Sequence, residues 1–352
     1  MPLFGSGGAN AILGVDLSTS GIKIVEIENS KTESKLLTYG YTEFPFSLEE
    51  ANFLEDAKNS SELLKKVLTE SGAKTRKAIG GLPMSQVFSS IINVPFVPDK
   101  DIAGYVSSQA QKLVSSPITE MQLDWQVLDR EEAQKEHKKN LRVLINGARR
   151  DLIQKYVMIY QLAGVELMSL EPEAFALIRS LVGKDPGTLM VVDIGSSRTN
   201  ICILEKGIPM LNRSIKVGGK ALTQKLSGLL GMGLPETEET KRDIQFLKGL
   251  GTEGFPKALE ETLQPIINDI SYIFQQFNED QTAVRLGSIE KIILAGGSSA
   301  FPNLAEYLKA KLQINVYRGD PWSRLAYPES LAPVLDEIGP RFAVAVGLAL
   351  KQ

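Results

Sequence analysis

The stretch MVVDIGSSRTNICIL, residues 190 to 204, decides how the rest of this chain is read. An apolar run enters Asp193, a small Gly195-Ser196-Ser197 turn follows, and after Thr199 a second apolar run begins. That order predicts a strand, a tight turn and a returning strand. Gly195 admits a backbone geometry that a β-branched residue would resist. With Ser196 and Ser197 beside it the turn stays small, so its N–H groups can point outward at an anion. Asp193 ends an apolar strand, where a carboxylate has little reason to stand unless something needs it. From this stretch alone an ordinary hairpin reads equally well.

An echo shifts that balance. Residues 12 to 27, ILGVDLSTSGIKIVEI, repeat the pattern: an apolar strand, Asp16, the turn residues Ser18, Thr19, Ser20 and Gly21, and a second apolar strand. Two distant copies argue for a duplicated unit, each half offering one phosphate-gripping hairpin to a shared cleft. A third piece, KIILAGGSSAFPNLAEYL (291 to 308), runs a strand into Gly296-Gly297-Ser298-Ser299 and then a helix. Glycines at such a turn let backbone approach a ligand, and a helix N-terminus attracts negative charge.

Length and charge set the class. At 352 residues the chain exceeds what one core supports, so at least two domains are expected. Lys plus Arg is 39 against 42 acids, a net charge of −3, which offers no field for nucleic acid or an acidic membrane. The one cysteine, Cys202, lies in an apolar strand; no disulfide framework is expected, and a reducing cytoplasm fits. The one histidine, His137, sits in the charged run REEAQKEHKKN and reads as a solvated loop residue. One His and one Cys argue against a zinc site and against a Ser-His-Asp or Cys-His nucleophile. There is no signal peptide and no apolar run of about 18 residues, so a soluble chain is expected.

The remaining elements follow in order. The Gly-rich MPLFGSGGAN reads as flexible, KLLTYGYTEF as a strand, and residues 59 to 72 as an amphipathic helix with a Ser start and a Gly stop. KAIGGLP and VFSSIINVP read as strands. A helix then starts near Asp99 or Asp101 and ends before Pro117. LDWQVLD and LRVLINGARR are strands, and DLIQKYVMIYQLAG is a second helix. Residues 95 to 168 thus form an expected inserted block of two helices and two or three strands.

At these residues the chain resembles the actin-like ATPase superfamily of actin, heat-shock chaperone ATPases, sugar kinases, MreB and FtsA. The first hairpin resembles the phosphate 1 motif, the second phosphate 2, and residues 291 to 304 the adenosine motif. SLEPEAFALIRSL (169 to 181) and RFAVAVGLAL (341 to 350) are similar to the two connecting helices. The resemblance implies an α/β fold of two duplicated ribonuclease-H-like halves around a nucleotide cleft, with an FtsA/PilM-type inserted subdomain. In its terms residues 1–94 begin subdomain 1A, 95–168 are the inserted 1C, and 169–189 complete 1A through the first connecting helix. Residues 190–216 and 288–327 form 2A, 217–287 form 2B, and 328–352 return to 1A. The inserted run VPFVPDKDIAGYVSSQAQKLVSSPITEMQLDWQVLD resembles the type IV pilus PilM family most closely, and so does PETEETKRD at 235 to 243. FtsA continues past the second connecting helix into an amphipathic tail, whereas this sequence stops at Leu350-Lys351-Gln352, which favours PilM.

The resemblance also implies roles. Asp16 and Asp193 would hold the waters around Mg²⁺, a hard cation that keeps its hydration shell. Ser18, Thr19, Ser20 and Lys23 match phosphate 1; Gly195, Ser196, Ser197 and Thr199 match phosphate 2. Glu171, before Pro172, matches the residue that positions the attacking water. Gly218, Gly219, Gly296, Gly297 and Ser298 would flank ATP, while Glu238 and Lys241 would reach its ribose or base. Lys23 also reads as an edge-strand surface lysine, and Glu238 with Lys241 as an i, i+3 ion pair. Ser18 stands where the family pattern has glycine, so its Cβ is expected to strain the turn and weaken nucleotide binding. The function implied is an ATP-binding pilus or secretion protein with slow hydrolysis. It would grip the N-terminal peptide of a PilN-like inner-membrane partner and so be held at the inner face of the cytoplasmic membrane. A pilus motor ATPase and self-association stand as further contacts. The alternatives are an FtsA-like filament ATPase and a sugar or acetate kinase, the latter through Asp101 and Asp124.

Overall fold

The computed structural model describes residues 11–44, 53–114, 116–242, 257–279 and 288–351. The Gly-rich N-terminus and the end of the PETEETKRD run lie outside these residues. The first hairpin forms as read: β1 (Ala11–Ser18) pairs antiparallel with β2 (Gly21–Asn29), and β3 (Ser34–Glu43) extends the meander. After α1 (Ala57–Glu70), β4 (Lys77–Leu82) lies parallel to β1 on its other side. The start signal of α1 is Asp56 and not a serine; its carboxylate accepts from the Asn59 N–H at 2.9 Å.

The chain then leaves this sheet for a small unit. β5 (Val87–Pro95), α2 (Asp99–Leu113), β6 (Met121–Val127), α3 (Arg130–Lys135) and β7 (Asn140–Arg149) make an antiparallel sheet in the order β5-β7-β6. Ile102 and Val106 of α2 pack on Ile92, Val143 and Ile145 to give this unit its own core. α4 (Arg150–Leu162) returns the chain, and β8 (Glu166–Pro172) pairs parallel with β4. The expected block of 95–168 is therefore corrected at both ends. β5 belongs inside it, because its partner is β7. α4 and β8 belong outside it, because Tyr156, Ile159 and Tyr160 share the core of β1 and α1. The charged run around His137 is not a loop throughout: its first part is α3, and Lys138 bridges Glu132 at 2.7 Å and Glu136 at 3.0 Å.

The second half repeats the first strand for strand. α5 (Glu173–Leu177) continues as a wider turn to Val182 and leads to β9 (Thr188–Ile194), β10 (Thr199–Glu205) and β11 (Ile208–Ile215). α6 (Gly219–Leu230), α7 (Leu234–Arg242) and α8 (Lys257–Glu279) follow, then β12 (Lys291–Ala295), α9 (Leu304–Leu312) and β13 (Asn315–Arg318). The first sheet has the order β3-β2-β1-β4-β8 and this one β11-β10-β9-β12-β13, with antiparallel and parallel pairings in matching places.

α10 (Ala332–Ile338) and α11 (Ala343–Ala349) close the chain onto the first half. α11 lies so near its neighbours that a Cβ on Gly14 would overlap the Ala345 carbonyl, and one on Gly347 the Ala176 carbonyl of α5. Between the halves Leu177, Val191, Cys202, Ala295 and Val344 share one core cluster. Burial there pushes the Cys202 thiol up to about 12, so it is an inert apolar group.

Candidate functional site

The cleft between the halves encloses about 810 Å³ and is lined by both hairpin turns, the 83–86 turn, α7 and the glycine turn after β12. Hairpin register builds its floor twice over. Asp16 stands opposite Lys23 and Asp193 opposite Asn200, in each case the residue seven positions on. Residues directly opposite share a face of the sheet. Lys23 Nζ accordingly donates to Asp16 Oδ2 at 3.2 Å, and Asn200 Nδ2 to Asp193 Oδ2 at 3.4 Å. Asn200 Oδ1 is buried with no partner. The two turns meet: Thr19 Oγ1 and Ser197 Oγ are 3.1 Å apart. Ser18 does not strain its turn. Its φ is not among the positive values, its hydroxyl donates to the Gly21 carbonyl at 2.9 Å, and it accepts from Lys23 Nζ at 3.0 Å.

The charge here is unusual. Burial first, then the Asp16 carboxylate, raise Asp193 from 3.8 to about 6. Burial, then Asp16 and Asp193, hold Glu173 well above the ordinary carboxyl range. The Glu173 carboxyl accepts the Met84 N–H at 3.3 Å. Beside it Tyr156 of α4 reaches the cleft with its hydroxyl fully buried and without a partner. Leaving such a group unpaired costs about 1–3 kcal/mol.

Several expected positions move. Glu171 does not line the cleft: it is the next-to-last residue of β8, and its carboxylate takes Arg179 at 2.8 and 3.1 Å and Lys351 at 3.2 Å. The helix begins only after Pro172, and this turns Glu173 toward the cleft in its place. Thr199 is fully buried and donates to the Val217 carbonyl at 2.8 Å; strand alternation gives its neighbour Asn200 to the cleft. Gly218 and Gly219 stand behind the phosphate 2 turn, where Gly219 N–H donates to Gly195 O at 2.9 Å and Lys220 N–H to Ser196 O at 2.8 Å. They shape that turn and do not line the cleft. α9 begins at Leu304, after a short 3-10 turn over Gly297–Ala300, so its N-terminus is not at the glycines.

Other residues named from the sequence come together in the cleft. Thr19, Ser20, Gly195, Ser196, Ser197, Gly297 and Ser298 line the cleft. Gly296 has φ +81°, and a Cβ there would lie 2.5 Å from Asp193 Oδ1. Glu238 and Lys241 are both an i, i+3 ion pair, at 2.7 Å, and part of the wall; Lys241 also donates to Thr223 Oγ1 at 2.8 Å. Sequence reasoning missed Arg198, Asn200, Tyr156 and Glu173, and the pair Arg341–Glu43 at 3.0 Å on the cleft wall. Asn200 was findable from hairpin register, and Glu173 from the preference of proline for a helix start.

Among the described residues no group of three or more His, Cys, Asp or Glu is arranged to cage a metal. None of the helices there is long and apolar enough to cross a membrane.

Comparison with known proteins identifies the architecture. A solved structure described as a PilM-PilN type IV pilus biogenesis complex aligns with a TM-score of 0.81 at 24% identity, over 96% of this chain and 97% of that one. The ethanolamine utilization protein EutJ from Carboxydothermus hydrogenoformans aligns at 0.56 and 17% identity, over 99% and 92%. The fold is that of the actin-like ATPases. Residues 14–352 match the family described as type IV pilus assembly protein PilM, and the chain belongs to that family.

Proposed function

We propose that this chain binds Mg·ATP between its halves and, through its inserted unit, holds the N-terminal peptide of a PilN-like inner-membrane partner. One observation carries the nucleotide reading: two duplicated hairpins bring Asp16, Asp193 and two hydroxyl-lined turns to one cleft. Like charges held together and the unpartnered acceptor Asn200 Oδ1 fit a bound cation. Two carboxylates with no third ligand suit Mg²⁺, which keeps its waters. Asp16 and Asp193 would hold those waters, and the ion would supply charge neutralisation at the phosphates. Lys23 stands beside phosphate 1, and Glu238 with Lys241 offer paired polar groups to ribose and base. Glu173, facing the cleft, takes over the water-positioning role first given to Glu171. Ser18, tied into its turn without strain, supports ordinary nucleotide affinity.

The partner reading rests on the family and on the inserted unit. That unit exposes Phe96, Tyr105 and Trp125, each 39% accessible, which would serve as apolar anchors for an extended peptide. A peptide that orders on binding would reach micromolar affinity, about −8 kcal/mol. Attachment to the membrane would then come through the partner. Calorimetry of Mg·ATP with wild type and Asp193→Ala tests the first half; unaltered binding in the variant sinks it. Fluorescence polarisation with the partner's N-terminal peptide tests the second. Full affinity after replacing Phe96, Tyr105 and Trp125 by serine places the peptide elsewhere.

A further inference from the structure

α4 carries two buried tyrosines one turn apart, and they are treated differently. The Tyr160 hydroxyl has a partner in the Val15 carbonyl at 3.4 Å and fills the space above Gly80, where a Cβ would lie 2.5 Å from its oxygen. It is part of the packing. Tyr156 is equally buried and its residue lines the cleft, but its hydroxyl has no partner. A phenylalanine would fill the same volume without an orphaned polar atom, so the hydroxyl calls for a partner that the protein itself does not supply. The carboxyl groups whose charge acts on Tyr156 are those of Glu173 first and then Asp16. Glu173, also facing the cleft, accepts the Met84 N–H and keeps capacity for further bonds. A water needs two to four polar partners to be held in such a place.

We propose that Tyr156 is a positioning residue whose hydroxyl, together with Glu173, holds the water that attacks the terminal phosphate of bound ATP. This rests on the nucleotide reading above. In that step the water oxygen forms the new bond to the terminal phosphorus, and the bond from that phosphorus to its bridging oxygen breaks. The bridging oxygen keeps the electron pair and leaves with the nucleoside diphosphate, while one proton of the water passes to an oxygen of the transferred phosphoryl group. Tyr156 neither gains nor loses a proton overall. Its contribution is orientation, supplied from a helix that leads directly out of the inserted unit through β7.

The test compares Tyr156→Phe, Tyr160→Phe, Glu173→Gln and the Tyr156→Phe/Glu173→Gln double variant. Readouts are melting temperature without nucleotide, Mg·ATP affinity by calorimetry, and steady-state phosphate release. Tyr156→Phe should melt at or above the wild-type temperature, bind Mg·ATP within about twofold, and lose at least about tenfold in kcat with KM unchanged. The double variant should lose no more than the worse single, since both hold one water. Tyr160→Phe should lower the melting temperature and leave kcat unaltered. Unchanged phosphate release in Tyr156→Phe, a loss confined to KM, or additive losses in the double variant overturn the assignment. Binding of Mg·ATP with no phosphate release by wild type overturns hydrolysis and this role together, while leaving the binding site standing.

Discussion

Replacing Asp193 by asparagine should make the nucleotide-free protein more stable, with a pH signature that identifies the cause. The raised carboxyl means that the folded chain holds a proton between about 3.8 and about 6 that the unfolded chain has released. Stability from this group is fully present below pH 3.8 and is lost as pH rises through about 6. At about 1.4 kcal/mol per pH unit, that interval amounts to about 3 kcal/mol. Asp193 is only half-buried beside an open cleft, so this figure is an upper bound. Asparagine keeps the shape and the contact with Asn200 but carries no charge toward Asp16. Urea unfolding at pH 4 and pH 7.5 gives the comparison. The variant should gain up to about 3 kcal/mol over wild type at pH 7.5, with the gap closing toward pH 4. A gap of the same size at both values, or a less stable variant at pH 7.5, would refute the claim that charge at this site is held against the fold.

Three further outcomes follow from the same geometry. Glu171→Gln should destabilise by about 1–3 kcal/mol, because it weakens the ion pairs to Arg179 and Lys351. Its Mg·ATP affinity should be unchanged in calorimetry. Ser18→Gly should leave nucleotide affinity equal or weaker, since it removes the bond to Gly21 and the support of Lys23; a tighter complex would show the serine distorts the turn after all. Gly296→Ala should cost at least about 1–2 kcal/mol in chemical denaturation for its left-handed backbone alone, and more from overlap with Ile194 and Asp193.

The duplicated hairpins were legible because each packs a strand, an aspartate and a small turn into fewer than twenty consecutive residues. What escaped the sequence was set by distant pairings. The strand β5 was read correctly, yet nothing local says that its partner is β7 and not β4. α4 was likewise visible as a helix, while its membership in the first core depends on where Tyr156 and Ile159 find neighbours. Glu171 and Glu173 flank one proline, and a shift of two residues in where the strand stops decides which carboxylate sees the cleft. Thr199 and Asn200 differ by a single step along a strand, and that step exchanges core for cleft.

The chain crosses between its halves twice, through α5 and through the segment that ends in α11, and these crossings touch backbone to backbone at Ala176 and Gly347. Two struts in contact behave as one axle. Sliding the halves past each other or separating them would break that contact, whereas turning about it would not. In such a turn displacement would grow with distance from the axle, so a small change in the gap between Thr19 and Ser197 would be magnified at the outer rim. A side chain at position 347 would wedge the axle itself, and its effect would register throughout the molecule, far from any ligand.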